Sequence, residues 1–336
     1  MKDTSPPILP LEVVRNGTPS RKDQLSEEEE VNLQLYGCQL IQDAGILLEL
    51  PQTTIAHGQI IFHRFYMKKS MKEFCVRHVA MASLFISCKI QETHRSLFHY
   101  LQVFVDLIYP ELYYISPDVV DLLKSHLIRT ERYILVELGF TFYNIELPHQ
   151  YILFVMHILE GHEDLTQTAW NYCNDALRSS VLSLSTKPQV IACGAVFMSA
   201  KDHTRALPEN PPWWQLFNTT REDLEFVEKH LKEMYSRPKA VYKDVLRETS
   251  PSRVGLSDIE NHINSNKKLK STEEARESKR RAYEDQGNRN YYNAGSSSGY
   301  SSSSSSSYSV QRATTTSSRG GGHYYYQKHV SDHKRR

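Results

Sequence analysis

Two eleven-residue stretches constrain the fold of this chain more than any other feature. Shifted by 112 positions, VAMASLFISCK (79–89) falls on IACGAVFMSAK (191–201). Ala80 meets Ala192, Phe85 meets Phe197, Ser87 meets Ser199 and Lys89 meets Lys201. Small residues such as Ala80, Ala82, Ser83 and Ser87 let helices approach closely, which suits a central place in a bundle. Each stretch also sits in the middle of its own series of helical patterns, so the chain reads as a duplicated helical unit.

The first series opens at Ser26, where a serine N-cap is followed by Glu27 to Glu30. Acids in a first turn oppose the positive end of the helix dipole. That helix carries Val31, Leu35, Cys38, Ile41 and Leu48 and stops at Pro51. Apolar spacing predicts further helices over 53–66, 72–90, 95–108 and 117–139, the last opened by Ser116-Pro117-Asp118. A second series is predicted at 148–160, 165–184, 187–202 and 222–236, with a short helix from Trp213 to Phe217. No sustained alternation of β-branched residues marks a strand. The expected fold is all-α, two tandem five-helix bundles followed by a disordered tail. The expected layout is a disordered N-terminal segment over 1–25, a first bundle over 26–146, a second over 147–247 and a basic, serine-rich tail over 248–336. The tail carries Lys267, Lys268 and Lys270, then Arg276, Lys279, Arg280 and Arg281. These clusters suit nuclear import or RNA contact, and solvated charge is the alternative.

Composition removes several functions. A formal net charge of +1 argues against a body that wraps nucleic acid, so no direct DNA binding is expected. The five cysteines lie singly with no C-x-x-C pair, which indicates neither zinc nor a disulfide framework. His94 and His99, five apart, do not share a helical face as metal ligands would. No apolar run is long enough for a membrane span, and MKDTSPPILPLEVV lacks a cleavable signal pattern, so a reduced, intracellular protein is the expected class. There is no phosphate loop, nucleophile elbow or H-E-x-x-H, so neither a cofactor nor an enzyme activity is expected. Trp213 and Trp214 follow Pro211-Pro212 and read as a plug for a bundle end, with stacking of a ligand as the alternative.

One pair of charges stands apart. Ala82, Phe85 and Lys89 fall on one helical face, as do Leu127, Glu131, Ile134 and Leu138 on another. A charge on a core-facing stripe is costly unless it is paired. Two packed helices would place Lys89 and Glu131 together at the edge of the core, on a surface that receives another protein. A plain inter-helix salt bridge, or two ends snorkelling to water, is the alternative.

The same residues carry a family resemblance. SCKIQE (87–92) and ERYILVELGF (131–140) look like the A-S-K-x-E-E and E-x-x-I-L-x-x-L-x-F signatures of the first cyclin box. GCQLIQDAGILLELPQ (37–52), QTAWNYCNDALRS (167–179) and WWQLFNTTREDLE (213–225) resemble the cyclin L subfamily, and the likeness covers about residues 30 to 247. The resemblance implies a regulatory subunit of a cyclin-dependent kinase of the transcription- and splicing-linked type, in the nucleus, with a tail directed to splicing factors and speckles. It implies that Lys89 and Glu131 contact the kinase's regulatory helix, that Ile90, Leu135 and Phe140 line the contact, and that Glu92 faces a kinase arginine. Gln91 departs from the usual glutamate, Gln34 from an arginine common in the subfamily, and the tail has few Arg-Ser dipeptides. Lys201 has no evident counterpart of Glu131, so the second bundle is expected to be mainly structural. Two-repeat transcription factors resembling factor IIB share the fold, but usually carry a zinc ribbon that these cysteines cannot make. A helical scaffold with no kinase partner is the third reading.

Overall fold

Helix starts follow the local chemistry. Ser26 closes a capping box: its Oγ accepts from the Glu29 amide at 3.2 Å, while the Glu29 carboxylate accepts from the Ser26 amide at 3.4 Å. Thr220 and Asp223 repeat the device at 3.2 and 3.0 Å. Pro117, Pro148 and Pro188 each occupy a first helical position, where a missing N–H costs nothing. The computed structural model describes residues 8–110, 117–142, 145–253 and 261. Among them the elements are α1 Leu11–Asn16, α2 Pro19–Lys22, α3 Glu27–Leu47, α4 Gln52–Tyr66, α5 Val76–Ile90, α6 Leu97–Ile108, α7 Pro117–Glu137, α8 Pro148–Ile158, α9 Glu163–Ala176, α10 Ser180–Ser185, α11 Pro188–Asp202 and α12 Arg221–Ser236. A 3-10 helix, Trp213–Phe217, precedes α12. There is no named strand among the described residues.

The fold is all-α, with a bundle of five helices, α3–α7, followed by a second built on α8–α12. Each has its own apolar core. In the first, α5 packs against α3, α4 and α7. In the second, α11 packs against α8, α9 and α12. The 112-residue shift carries α5 onto α11 end to end. Close approach shows at Gly194, where an added Cβ would lie 2.6 Å from Val227. Trp213 and Trp214 are buried in the second core, as a plug would be. The bundles meet through Leu177, whose carbonyl lies 3.2 Å from the His63 ring, and through Ser180, whose hydroxyl donates to Gln34 at 2.8 Å.

Three expectations need correction. Within the segment 1–25, expected to be disordered, the described residues 8–25 are ordered: α1 and α2 bury Val14, Thr18 and Ser20, and Leu25 joins the first core. The prolines there cap and start short helices, since Thr18 accepts from the Arg21 amide and Pro19 follows at the first position. The helix expected over 165–184 breaks at Leu177–Ser179, and the break frees the Leu177 carbonyl for His63. The end of the second series also moves. Beyond α12 the chain returns to the first bundle as an extended strap. The Val241 amide donates to Asn32 at 3.1 Å, Arg77 stacks 3.7 Å over Tyr242, and the Arg247 amide donates to the Lys72 carbonyl at 2.9 Å. The strap continues past residue 247, since the Cys75 amide donates to Ser252 at 3.1 Å and the Ser250 hydroxyl donates to the Glu73 carbonyl at 2.5 Å. Its anchors are single side chains without helical period, which leaves no pattern to read. The tail clusters at 267–281 lie outside the described residues.

Candidate functional site

The site is built where α5 ends against α7. Lys89 occupies the last turn of α5, and its Nζ donates to Glu131 Oε1 at 2.6 Å. Its ammonium also lies 4.4 Å from the Phe85 ring centroid, one helical turn back, a cation–π contact. Phe85 is in turn held 5.3 Å from Tyr100, whose hydroxyl donates to the Met81 carbonyl at 2.6 Å. The aromatic support is therefore fixed at both ends. The two charges differ in exposure: the Lys89 side chain is 50% exposed and that of Glu131 only 12%. A carboxylate this sheltered needs its cation, whereas the cation still has half its surface to offer.

Around the pair, Ile90 and Leu135 are partly buried against the first core. Phe140, just past α7, is 64% exposed, and Val136 and Ile128 on α7 are also exposed. Glu92 is exposed and has no ion pair among the described residues. Both Glu92 and Phe140 have left-handed backbone, φ 53° and 56°. That region is uncommon outside glycine and unfavourable for a bulky residue such as Phe140. After α5 the turn through Glu92 is closed by the Thr93 amide donating to the Cys88 carbonyl at 2.9 Å, and after α7 the turn through Gly139, φ 61°, by the Phe140 amide donating to the Leu135 carbonyl at 3.0 Å. Arg95 fixes the loop after α5, donating to the Leu48 and Glu49 carbonyls at 2.8 and 2.7 Å. Lys89 and Glu131 are thus joined directly, Ile90 and Leu135 share their core edge, and Glu92 and Phe140 stand at the ends of the two helices.

Lys201 does find a glutamate, although Glu228 is not followed by the I-L-x-x-L-x-F pattern that follows Glu131. Its Nζ donates to Glu228 Oε2 on α12 at 2.6 Å. Glu228 escaped the repeat because it lies 27 residues after Lys201, whereas Glu131 lies 42 after Lys89. The short 3-10 helix stands in the second bundle where α6 stands in the first, so a fixed shift cannot align α7 with α12. An acid one face-turn into the amphipathic pattern of α12, with Leu224, Val227 and Leu231 buried, is the signal that could have found it. Among the described residues no cluster of three His, Cys, Asp or Glu side chains is placed to hold a metal, and no helix is long and apolar enough to cross a membrane.

A central helix ending in lysine, paired with a glutamate of the last helix of its bundle, agrees with what comparison finds. Residues 16–143 match the family described as Cyclin, N-terminal domain, and the chain is a cyclin. It is most like the cyclin L proteins. Cyclin-L1-1 of Arabidopsis thaliana is 39% identical over 240 residues, covering 70% of this chain and 57% of the relative. Cyclin-L1-1 of Oryza sativa subsp. japonica is 41% identical over 238 residues, covering 69% and 55%. Cyclin-L1 of Homo sapiens is 35% identical over 249 residues, covering 72% and 47%. The chain spans about half the length of these curated relatives. Among solved structures, a chain of the yeast RNA Pol II CTD kinase CTDK-1 complex superposes with a TM-score of 0.59 at 18% identity, covering 77% of this chain and 84% of that one. At that identity the likeness concerns the fold alone. Cyclins are regulatory subunits rather than enzymes.

Proposed function

We propose that the protein binds and activates a cyclin-dependent protein kinase, with the kinase docked on the Lys89–Glu131 edge of the first bundle. The observation that carries this reading is the half-exposed Lys89 held 2.6 Å from a sheltered Glu131 beside an exposed Phe140. Ile90 and Leu135 supply apolar contact next to the pair, and Glu92 offers a carboxylate to an arginine of the kinase. Docking there favours the inward position of the kinase's regulatory helix, so that its own glutamate reaches the lysine that holds ATP. The cyclin supplies differential affinity for that state and no chemistry, and it needs no cofactor.

The likeness to cyclin L proteins favours a kinase acting in transcription by RNA polymerase II and in pre-mRNA splicing, and a nuclear location. The tail with Lys267, Lys268, Lys270, Arg276, Lys279, Arg280 and Arg281 would serve nuclear import or contact with splicing factors, with speckles as its destination. Two measurements test this. Purified chain is mixed with candidate kinases, and phosphate transfer to the repeated tail of RNA polymerase II is followed. A chain that neither binds nor activates any cyclin-dependent kinase overturns the proposal. Separately, a chain ending at Arg253 should activate as the full chain does but be retained less in the nucleus. Unchanged distribution would leave the tail's basic clusters as solvated charge.

A further inference from the structure

A cavity of about 670 Å³ opens between α4, the end of α7 and the start of α11. That volume falls within the ~300–1,000 Å³ usual for ligand sites. Arg64, in the last turn of α4, stands in its wall, partly buried, and makes no hydrogen bond or ion pair among the described residues. Burial alone pushes its guanidinium down to about 10. A cation that has lost water without gaining an anion is unfavourable. Lys68 and Lys187 in the same wall are exposed and also lack ion pairs among the described residues. The two carboxylates of the wall are engaged elsewhere: Glu137 pairs with Lys69 at 2.9 Å, and Glu146 accepts from Tyr151 at 3.0 Å. The Thr186 hydroxyl oxygen is buried there without a partner. Lys187 is the N-cap residue of α11 and no side chain caps that helix, so the positive end of its dipole meets the cavity at Pro188 and Gln189.

Three unpaired cations, a free hydroxyl and a helix start around one cavity suit a dianion with several acceptor oxygens, and a guanidinium is the side chain that best matches phosphate. Ile60, Ile145 and Leu184, all buried, give the same cavity an apolar floor. A free inorganic anion has no use for such a floor, so the ligand carries an apolar part beside its phosphate. No aromatic side chain stands among the described lining residues, so a nucleobase would find nothing to stack on. A phosphorylated residue with an apolar neighbour in a peptide meets both halves of the wall. We propose that this cavity binds a phosphoserine- or phosphothreonine-bearing segment of a partner protein, its phosphate held by Arg64, Lys68 and Lys187 and its apolar neighbour seated on Ile60 and Ile145. The unpaired Arg64 is then the reserve of the site: it is held without an anion in the free chain and gains one on binding.

The test uses the full chain without any kinase, so its outcome is independent of docking at Lys89. The probes are inorganic phosphate, the blocked peptide Ala-Leu-phosphoserine-Leu-Ala, the same peptide with plain serine, and adenosine monophosphate. Nitrogen NMR follows the Arg64 Nε–H signal as each is added. Phosphate and phosphopeptide should both move it, and the phosphopeptide should bind at least about tenfold more tightly than inorganic phosphate. Arg64→Gln should lower phosphopeptide affinity about tenfold or more and raise the melting temperature of the free chain, because it removes an unpaired, partly buried cation. Lys68→Ala and Lys187→Ala, at exposed positions, should each lower the affinity about threefold and melt as wild type, and they carry the test alone if Arg64→Gln fails to fold. An Arg64 signal that no phosphate-bearing probe moves overturns the proposal, as does phosphopeptide affinity unchanged in the lysine variants. Equal binding of the plain-serine peptide removes the phosphate from the recognition. Inorganic phosphate or adenosine monophosphate binding as tightly as the phosphopeptide overturns the assignment of a peptide as occupant.

Discussion

Lys89 and Lys201 end the central helices of two bundles and are assembled from the same parts. Each lies over a phenylalanine one turn earlier, at 4.4 and 4.2 Å, and each donates to a glutamate at 2.6 Å. Two residues before each, a buried serine donates to a backbone carbonyl, Ser87 to Thr54 at 2.6 Å and Ser199 to Leu165 at 2.8 Å. Both lysines are about half exposed and both glutamates sheltered. Even the following turn repeats, with Thr204 left-handed like Glu92. The difference lies in what else touches the acid. Glu228 also accepts from Lys232 at 2.7 Å, and Arg221 lies 4.7 Å over Phe197 and 5.7 Å from Trp214. Burial pushes the Glu228 carboxyl up, but Lys201 and Lys232 outweigh it and hold it below the ordinary value. The second site is satisfied from within its own bundle. The first has one cation on its acid and an exposed apolar margin. On the proposed reading, the same motif serves as a brace or as a docking edge according to how many partners its own chain supplies.

The comparison breaks most sharply if Lys89 proves dispensable. Lys89→Ala or Glu131→Ala should weaken kinase binding by about 3–5 kcal/mol, on the order of 100-fold or more, because docking buries what remains of the pair. Co-purification and phosphate transfer measure this, with circular dichroism of the free protein as the control for folding. Lys89→Ala should also destabilise the free bundle more than Glu131→Ala does. It strands a sheltered carboxylate, whereas the reverse leaves a lysine free to reach water. Wild-type binding by both variants would remove the docking role, and unfolding of both would make the pair a brace like its counterpart.

Acid should separate the bundles next. Burial pushes His63 down to about 4 and His78 to about 3. Unfolded, each takes up a proton near pH 6.5. Between that pH and the lower folded values the unfolded chain binds more protons, so stability falls as pH falls, by about 1.4 kcal/mol per unit for each histidine. In the second bundle, burial lowers His149. All three tryptophans, Trp170, Trp213 and Trp214, lie in the second bundle. Urea unfolding at pH 7.5 and 4.5, followed by circular dichroism and by tryptophan emission, should therefore show the dichroism transition moving earlier in acid than the emission. Coincident transitions at both pH values would mean that the bundles unfold as one.

Packing differs at one equivalent pair, Ala82 and Gly194. Gly194→Ala would set a methyl 2.6 Å from Val227, and should cost about 1–3 kcal/mol through overpacking. The reverse change, Ala82→Gly, should cost about 1–2 kcal/mol, through chain entropy and the loss of a buried methyl. A neutral Gly194→Ala in thermal melts would show that α12 can withdraw from α11. The strap offers a further contrast, because it ties only the first bundle. A chain ending at Arg247 should be about 1–2 kcal/mol less stable than one ending at Arg253, having lost the Ser250 and Ser252 bonds to Glu73 and Cys75. Equal melting of the two chains would leave the strap beyond Arg247 without mechanical value.

What could be read from the residues follows from what has a period. The bundles, their central helices and the Lys89–Glu131 pair were legible, because apolar spacing and small-residue stripes encode them locally. Ser26 and Glu29 announced their own cap. Glu228 was not legible by repeat, because the connection between its helix and α11 is shorter than that between α7 and α5, and register is lost across such a gap. Residues 8–25 and the strap were misread for another reason. They are held by isolated anchors such as Val14, Ser20, Tyr242 and Ser252, whose partners lie far off in sequence.

The smallest expected effect concerns Lys201, and it bears on the comparison most directly because the two sites look so alike. If geometry alone made a docking edge, Lys201→Ala would impair kinase binding as Lys89→Ala does. The surrounding charges argue otherwise. With Lys201 removed, Glu228 keeps Lys232 at 2.7 Å, so no sheltered carboxylate is stranded. Arg221 still covers Phe197. Lys201 is itself half exposed, which limits its contribution to stability to about 1 kcal/mol or less. Kinase binding and activation by Lys201→Ala should therefore stay within about threefold of wild type, with melting shifted only slightly. The double variant Lys201→Ala/Lys232→Ala strands Glu228 and should lose more stability than the two single changes added together, while kinase binding still holds. Additive losses would mean that the two lysines do not substitute for one another. A binding defect in Lys201→Ala as deep as that of Lys89→Ala would mean that the kinase reads both bundles, and that the count of internal partners is not what separates a brace from an edge.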